Sequence, residues 1–544
     1  RYCHYLFSWL FKKIPPLAMA TMDEVPYRPH VPLQWELARQ TEIFLEDSLW
    51  PQAYSLLFNV LASGTIASTK AVIPLPRHLA VAATMLVHPR TTTRAETEYE
   101  KEASKAALRF LRLANSLVGP TDAKFNLAFG FNQFASLRPG RRRAESPMLA
   151  ENDNPDTRPL NTKFDQASSV WNCAEDFWHA VGWAFNCSVL HPARWERWQI
   201  WLQFMCNVLE DDWKECENKA VPDDLSIFRE SLIFRYISSN STAGRNRRIM
   251  RAIFTNAKSN PGEFKEVFKD ELRMPVPKQD SHNSKKRAGD IDLDKGHYGD
   301  YQNNFDEDFE ADQSSTSVSE STAKPRRSKR TRRGMRNAED EATNPIKMAK
   351  ASQSSSRESN NLSPLGGYTS IGLRQQLLSI LSNVSEKLPR DFMPLDDLYN
   401  MFVENIRDLS LPIFQHFISP SNPHLLPEAH STLCELLLFV IRESSAPSSD
   451  AKYLTQDKLE KCFLPYAAAT PTVENNAKIS ILLEALMTHL HEGKMISVTP
   501  SLTEAVNSGI ARREKASLDR DSLEWAYLQE SGFRMKFMVE HILP

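Results

Sequence analysis

The stretch from Thr93 to Pro120, TRAETEYEKEASKAALRFLRLANSLVGP, carries the clearest structural signal in the chain. Tyr99, Ala103, Ala106, Phe110, Leu113 and Leu117 recur at spacings of four and three, which places them on one face of a 3.6-residue helix. Thr93 is a candidate N-cap. Gly119 and Pro120 form a stop, because Gly tolerates the left-handed conformation after a helix and Pro cannot continue the hydrogen-bond ladder.

Working outward, similar stripes occur at Leu33–Leu49, Ala53–Leu61, Leu79–Leu86 and Phe125–Phe134, with a surface loop expected at about 137–162. Residues 171–213 hold seven of the chain's 11 Trp, and His191–Pro192 divides this segment into two helices. On the second, Trp195, Trp198, Leu202, Met205 and Leu209 form a stripe. The aromatic density reads first as a core. Trp201 points off that stripe, and Trp201 and Trp213 are the residues expected to face a partner, since Trp is enriched at binding hot spots.

Helical periodicity resumes near Ile371. Leu373, Leu377, Ile380, Leu381 and Val384 make one stripe, Pro427 opens a helix carrying Leu433, Leu437 and Val440, and Ile479 to Leu490 is stopped by Gly493. Lys494–Val498 reads as an isolated strand or small wing, and an amphipathic helix is expected over Leu518–Ile542. With only 17 Gly against 33 Pro, the composition favours helices punctuated by proline over turn-rich β-structure.

Residues 275–365 differ in character. Aliphatic side chains nearly vanish, so the segment cannot bury enough apolar surface to offset chain entropy, and it is expected to be a disordered linker. It has an acidic part containing Tyr298, Tyr301, Phe305 and Phe309, a composition suited to docking on a basic protein. It also has a basic part in which Lys324, Arg326, Arg327, Lys329, Arg330, Arg332, Arg333 and Arg336 fall within thirteen positions. So dense a cationic run suits the acidic groove of an import receptor, or polyanionic nucleic acid. No aromatic residue interrupts it, so any nucleic-acid contact there is expected to be electrostatic and non-specific.

The expected fold is therefore all-α: an irregular helical bundle or degenerate helical-repeat stack in two regions, 22–274 and 366–544, joined by the linker. Residues 1–21 read as an extension outside the fold. Their charges follow the apolar run, whereas a signal peptide places them before it. No stretch is long and apolar enough for a membrane span. Seven scattered cysteines with no C-x-x-C pair indicate reduced thiols and not a disulfide framework. No metal site, cofactor or catalytic residue is expected. His179, Cys187, His191, Cys206 and Cys216 lack the paired spacing of a structural zinc site, and the phosphate-loop, dinucleotide and nucleophile-elbow motifs are absent from the sequence.

One pair remains. Arg534 and His541 lie seven apart on the last expected helix, and an Arg-x₄₋₆-His pair resembles the catalytic motif of the HEPN family of helical ribonucleases. That resemblance covers these two residues alone, and implies acid–base and charge stabilisation of ribose 2′-hydroxyl attack on the adjacent phosphate. The function expected from the sequence as a whole is a non-enzymatic, soluble scaffold or adaptor of a nuclear complex, associated with chromatin or DNA. It would bind other proteins through helical surfaces. The alternative is an RNA-associated nucleolar factor of ribosome biogenesis.

Overall fold

A computed structural model describes residues 27–66, 69–131, 160–222, 224–239, 244–256, 262–273, 365–419, 425–448, 453–517 and 522–543. Among them the chain is all-α, apart from two three-residue strands, β1 (His30–Pro32) and β2 (Ala71–Ile73), paired in parallel. Before the linker the helices are α1 (Trp35–Glu46), α2 (Trp50–Ala62), α3 (Pro76–Val87), α4 (Glu98–Leu117), α5 (Phe125–Ala128), α6 (Val170–Cys173), α7 (Phe177–Leu190), α8 (Pro192–Lys219), α9 (Ser226–Glu230), α10 (Leu232–Ser238) and α11 (Arg245–Ile253). After it come α12 (Tyr368–Lys387), α13 (Leu395–Ile406), α14 (Leu411–Ile418), α15 (Pro427–Ile441), α16 (Gln456–Lys458), α17 (Val473–Glu492), α18 (Pro500–Ala516) and α19 (Leu523–Phe537).

The opening stretch forms α4, with its start moved. The N-cap is Thr97, not Thr93: its hydroxyl accepts from Glu100 N, and the Glu100 carboxylate reaches back to Thr97 N, a reciprocal capping box. Thr93 is drawn away by Arg194, whose Nη1 donates to its hydroxyl at 3.2 Å. The stop is as read, with Gly119 at φ 85°. The buried face is Ala103, Ala106, Ala107, Phe110, Leu111 and Ala114. It is rotated from the sequence stripe, because α2 and α3 pack against the small alanines and leave Tyr99 at the rim.

Two helices are enclosed on all sides. Eleven of the twelve residues of α3 and thirteen of the fourteen of α7 are buried, which requires neighbours all round. α8 supplies many of them: it packs against α3, α7, α9 and α10, and also against α12 from beyond the linker. That last seam has a polar contact, Gln203 Nε2 donating to Gln376 Oε1 at 3.2 Å, and beside it Ser370 Oγ of α12 donates to Ser188 Oγ of α7 at 3.1 Å. Arg374 is fully buried over the Phe185 ring, 4.0 Å from its centroid, and donates to the carbonyls of Ile253 and Leu365. With carbonyls and Ser370 as its partners, burial holds its pKa down to about 9.

In the second half α17 is the central helix, in contact with α14, α15, α18 and α19. Lys494–Val498 is not a strand. Met495 to Thr499 have no regular structure, and Ser497 N donates to the Gln456 side chain, which takes the place of a strand partner. The last helix ends in a π-helical turn, Met538–Ile542.

Candidate functional site

α19 presents the candidate site. Its inner face, Leu528, Ser531, Gly532 and Met535, packs against α17 and α18. A salt bridge fixes its rotation: Arg534 Nε and Nη2 donate to Glu484 Oε1 and Oε2 at 2.6 and 3.0 Å, and Ser531 Oγ donates to Glu484 Oε2 at 2.9 Å. The outward side carries large apolar residues among polar ones such as Gln529 and Glu530. Leu523, Phe533, Phe537 and Ile542 are 75%, 66%, 54% and 44% exposed. Phe533 and Phe537 are one turn apart, and His541 stacks on Phe537 with ring centroids at 4.8 Å. Isolated exposed apolar residues are ordinary, whereas three large ones on one helix, Leu523, Phe533 and Phe537, with Ile542 in the turn that follows, make a surface suited to a partner.

The same geometry changes the reading of Arg534 and His541. A seven-residue interval shares a face only in a regular α-helix, and the π turn at 538–542 breaks that register. Arg534 is committed to Glu484, while His541 lies exposed against Phe537.

Trp201 and Trp213 do not face a partner. Trp201 is fully buried, with Trp198 edge-on at 5.4 Å and Trp171 and Phe177 at 6.3 Å. Trp213 is buried against Phe228 at 5.0 Å, and its Nε1 donates to Glu217. The off-stripe logic fails because α8 is enclosed on several sides, so pointing away from one stripe leads into another core. The basic residues Lys324, Arg326, Arg327, Lys329, Arg330, Arg332, Arg333 and Arg336 lie outside the described residues, as do Tyr298, Tyr301, Phe305 and Phe309.

A buried ionic cluster escaped sequence reading altogether. Glu271 accepts from Arg194 Nε at 2.7 Å, Trp198 Nε1 at 2.7 Å, Trp183 Nε1 at 3.1 Å and Phe268 N at 3.2 Å. Arg194 spends further donors on Val87 O, Thr92 and Thr93. Apart from Phe268, the partners of Glu271 lie 73 to 88 residues away, so no local pattern announces the cluster.

Among the described residues no group of three or more His, Cys, Asp or Glu is arranged to hold a metal ion, and no helix is long and apolar enough to cross a membrane. Burial raises the pKa of the Cys187, Cys206, Cys216 and Cys434 thiols, Cys216 to about 12, which keeps them protonated. His430 Nδ1 and His489 Nε2 are 2.6 Å apart, a spacing that requires one shared proton between two otherwise neutral rings.

These buried groups set a pH dependence. Burial lowers His78 and His88 to about 3 and His430 to about 4, and raises Asp165 and Asp212 to about 6. Near pH 6.5 the unfolded chain protonates all three histidines and the folded chain does not, so stability falls on acidification. Below about pH 6 the folded state gains protons on the two aspartates, which offsets two of the three. Each net proton is worth roughly 1.4 kcal/mol per pH unit. Guanidinium unfolding should therefore show a loss of a few kcal/mol between pH 7 and pH 4, steepest at its upper end. Equal stability at the two pH values would contradict the assignment.

No protein-family model matches the sequence, and no curated protein matches it.

Proposed function

We propose that the chain is a non-enzymatic scaffold subunit of a nuclear protein complex associated with chromatin or DNA. The observation that carries the reading is the exposure of Leu523, Phe533 and Phe537 on α19, a helix held in place by the Arg534–Glu484 bridge. A hydrophobic groove of a protein partner would take up Phe533 and Phe537, with α19 as the helix in helix-in-groove recognition. The nuclear address rests on the sequence run from Lys324 to Arg336, whose eight cations suit an import receptor and, secondarily, non-specific phosphate contact.

The test is affinity purification of the tagged chain from nuclear extract, with and without ribonuclease, beside a Phe533→Glu/Phe537→Glu variant. Both side chains are exposed, so the variant should fold normally. Protein partners should survive ribonuclease and be lost with the variant. Partners that disappear on ribonuclease treatment would instead support an RNA-associated nucleolar factor. A fluorescent fusion lacking 324–336 should move to the cytoplasm, and continued nuclear accumulation would overturn the address.

A further inference from the structure

A half-open cavity of about 430 Å³ lies where the turn between α3 and α4 meets segments 167–173 and 268–269. Its lining is rich in uncommitted donors. Arg94 uses one N–H, from Nη1 to Asp270 O at 3.3 Å, so most of its guanidinium fork is unspent among the described residues. Arg90 donates through Nε to Glu100 at 3.3 Å, which leaves both its Nη groups. Lys269 is exposed and has no partner among the described residues, and the Ser168 hydroxyl likewise has none. His88 accepts from Arg90 N at Nδ1, 3.1 Å, which assigns the proton of the neutral ring to Nε2. Burial first, then the charges of Arg194, Arg90 and Arg94, keep that ring neutral.

The acceptors are fewer. The two lining carboxylates are Glu96 and Glu100. Glu100 is engaged by Arg90 and by the backbone N–H groups of Glu96 and Thr97, so its charge is spent on the start of α4. With three cationic side chains, Arg90, Arg94 and Lys269, lining the cavity against two carboxylates, one of them bridged to Arg90, the balance favours a ligand that brings its own acceptors and negative charge. Arginine forks match the tetrahedral oxygens of a phosphate two at a time, and a lysine adds a point charge.

We propose that this cavity binds the phosphate group of a phosphomonoester, with Arg94, Lys269 and Ser168 as its principal contacts. Two sources share that chemistry: a free phosphorylated small molecule, or a phosphorylated side chain of a protein partner. The cavity is polar and open on one side, so either can enter it. It lies apart from the face of α19, and the inference does not depend on the scaffold reading.

The test is calorimetric titration of the full chain with inorganic phosphate, ribose 5-phosphate, a phosphoserine peptide and the same peptide unphosphorylated. Lys269→Gln and Arg94→Gln are the variants, with thermal unfolding as the check on folding. Saturable binding of a phosphorylated probe, weakened at least tenfold in either variant, is the expected result. Binding of ribose 5-phosphate would assign a free phosphomonoester, and binding of the phosphopeptide alone would assign a partner's side chain. Because Lys269 is exposed, its variant should fold even if Arg94→Gln does not. The run from Lys324 to Arg336 also attracts phosphate, so a third variant neutralises those cations. Binding that survives both cavity substitutions and disappears with that third variant would overturn the proposal, as would the absence of saturable binding of any phosphorylated probe.

Discussion

Replacing Glu271 with leucine should destabilise the fold by about 3–5 kcal/mol, the usual result of breaking a buried ion pair from one side. Arg194 and Glu271 side chains are 4% and 0% exposed, so the guanidinium left behind could not recover solvation without opening the core. The leucine would also orphan the indole N–H groups of Trp183 and Trp198, each at a desolvation cost of about 1–3 kcal/mol. Glu271→Gln should cost less, because its amide oxygen still accepts one or two of these donors. The double variant Arg194→Met/Glu271→Leu should recover part of the loss, because the stranded charge is gone. Guanidinium unfolding followed by tryptophan fluorescence reads all three. A loss under about 1 kcal/mol for Glu271→Leu would show that the cluster is not closed to water.

Gly509→Ala should destabilise the fold by about 2–4 kcal/mol, against its local preference. Alanine is the better helix former by roughly 1 kcal/mol, so propensity alone predicts a gain. Gly509, however, lets α18 run against the backbone of Leu464: an added Cβ would collide with that carbonyl oxygen and lie 2.8 Å from its carbon. The same carbonyl accepts from Arg513 Nη1 at 2.8 Å. Arg513 is fully buried, its other acceptors are Ser480 Oγ and Tyr466 O, and burial holds its pKa down to about 9. Pushing α18 away adds the loss of that bond to the overpacking cost. Gly372→Ala in α12 is the control. Nothing lies within 4 Å of its added Cβ, so the same change should stabilise by up to about 1 kcal/mol. Thermal unfolding shifts of opposite sign would separate packing from propensity. Shifts of the same sign would refute the close approach at Gly509.

Helix limits were the most legible part of the fold. His191–Pro192 does separate α7 from α8, Pro427 does open α15, and Gly493 does close α17. These are local signals, because a missing N–H or a residue that loosens the backbone acts within one turn; after α17 the left-handed position falls on Lys494, at φ 54°, and not on Gly493. The start of α4 was misplaced by four residues because two threonines compete for the cap, and a buried arginine 101 residues away takes the hydroxyl of the first. Val440 was read into the inner stripe of α15 but is 48% exposed, as the packing of α13 and α17 sets which side of that helix is covered. As for the candidate site, an amphipathic helix near the end of the chain was legible. That its outer side would keep Phe533 and Phe537 was not, since a phenylalanine in a helix reads as core until the neighbours are placed.

The sequence by itself determined that this is an all-α protein, and it located several helix boundaries, because helical period, proline and glycine act through the backbone of nearby residues. It also holds the cationic run from Lys324 to Arg336, on which the proposed nuclear address rests. Tertiary structure alone decided which faces those helices bury. It enclosed Trp201 and Trp213, assembled Arg194 with Glu271 across 77 residues, and left Phe533 and Phe537 exposed. The physical reason is the same in each case. A periodic stripe records that a helix has an apolar side, whereas burial depends on how many neighbours reach it, and contacts between distant residues leave no trace in local spacing.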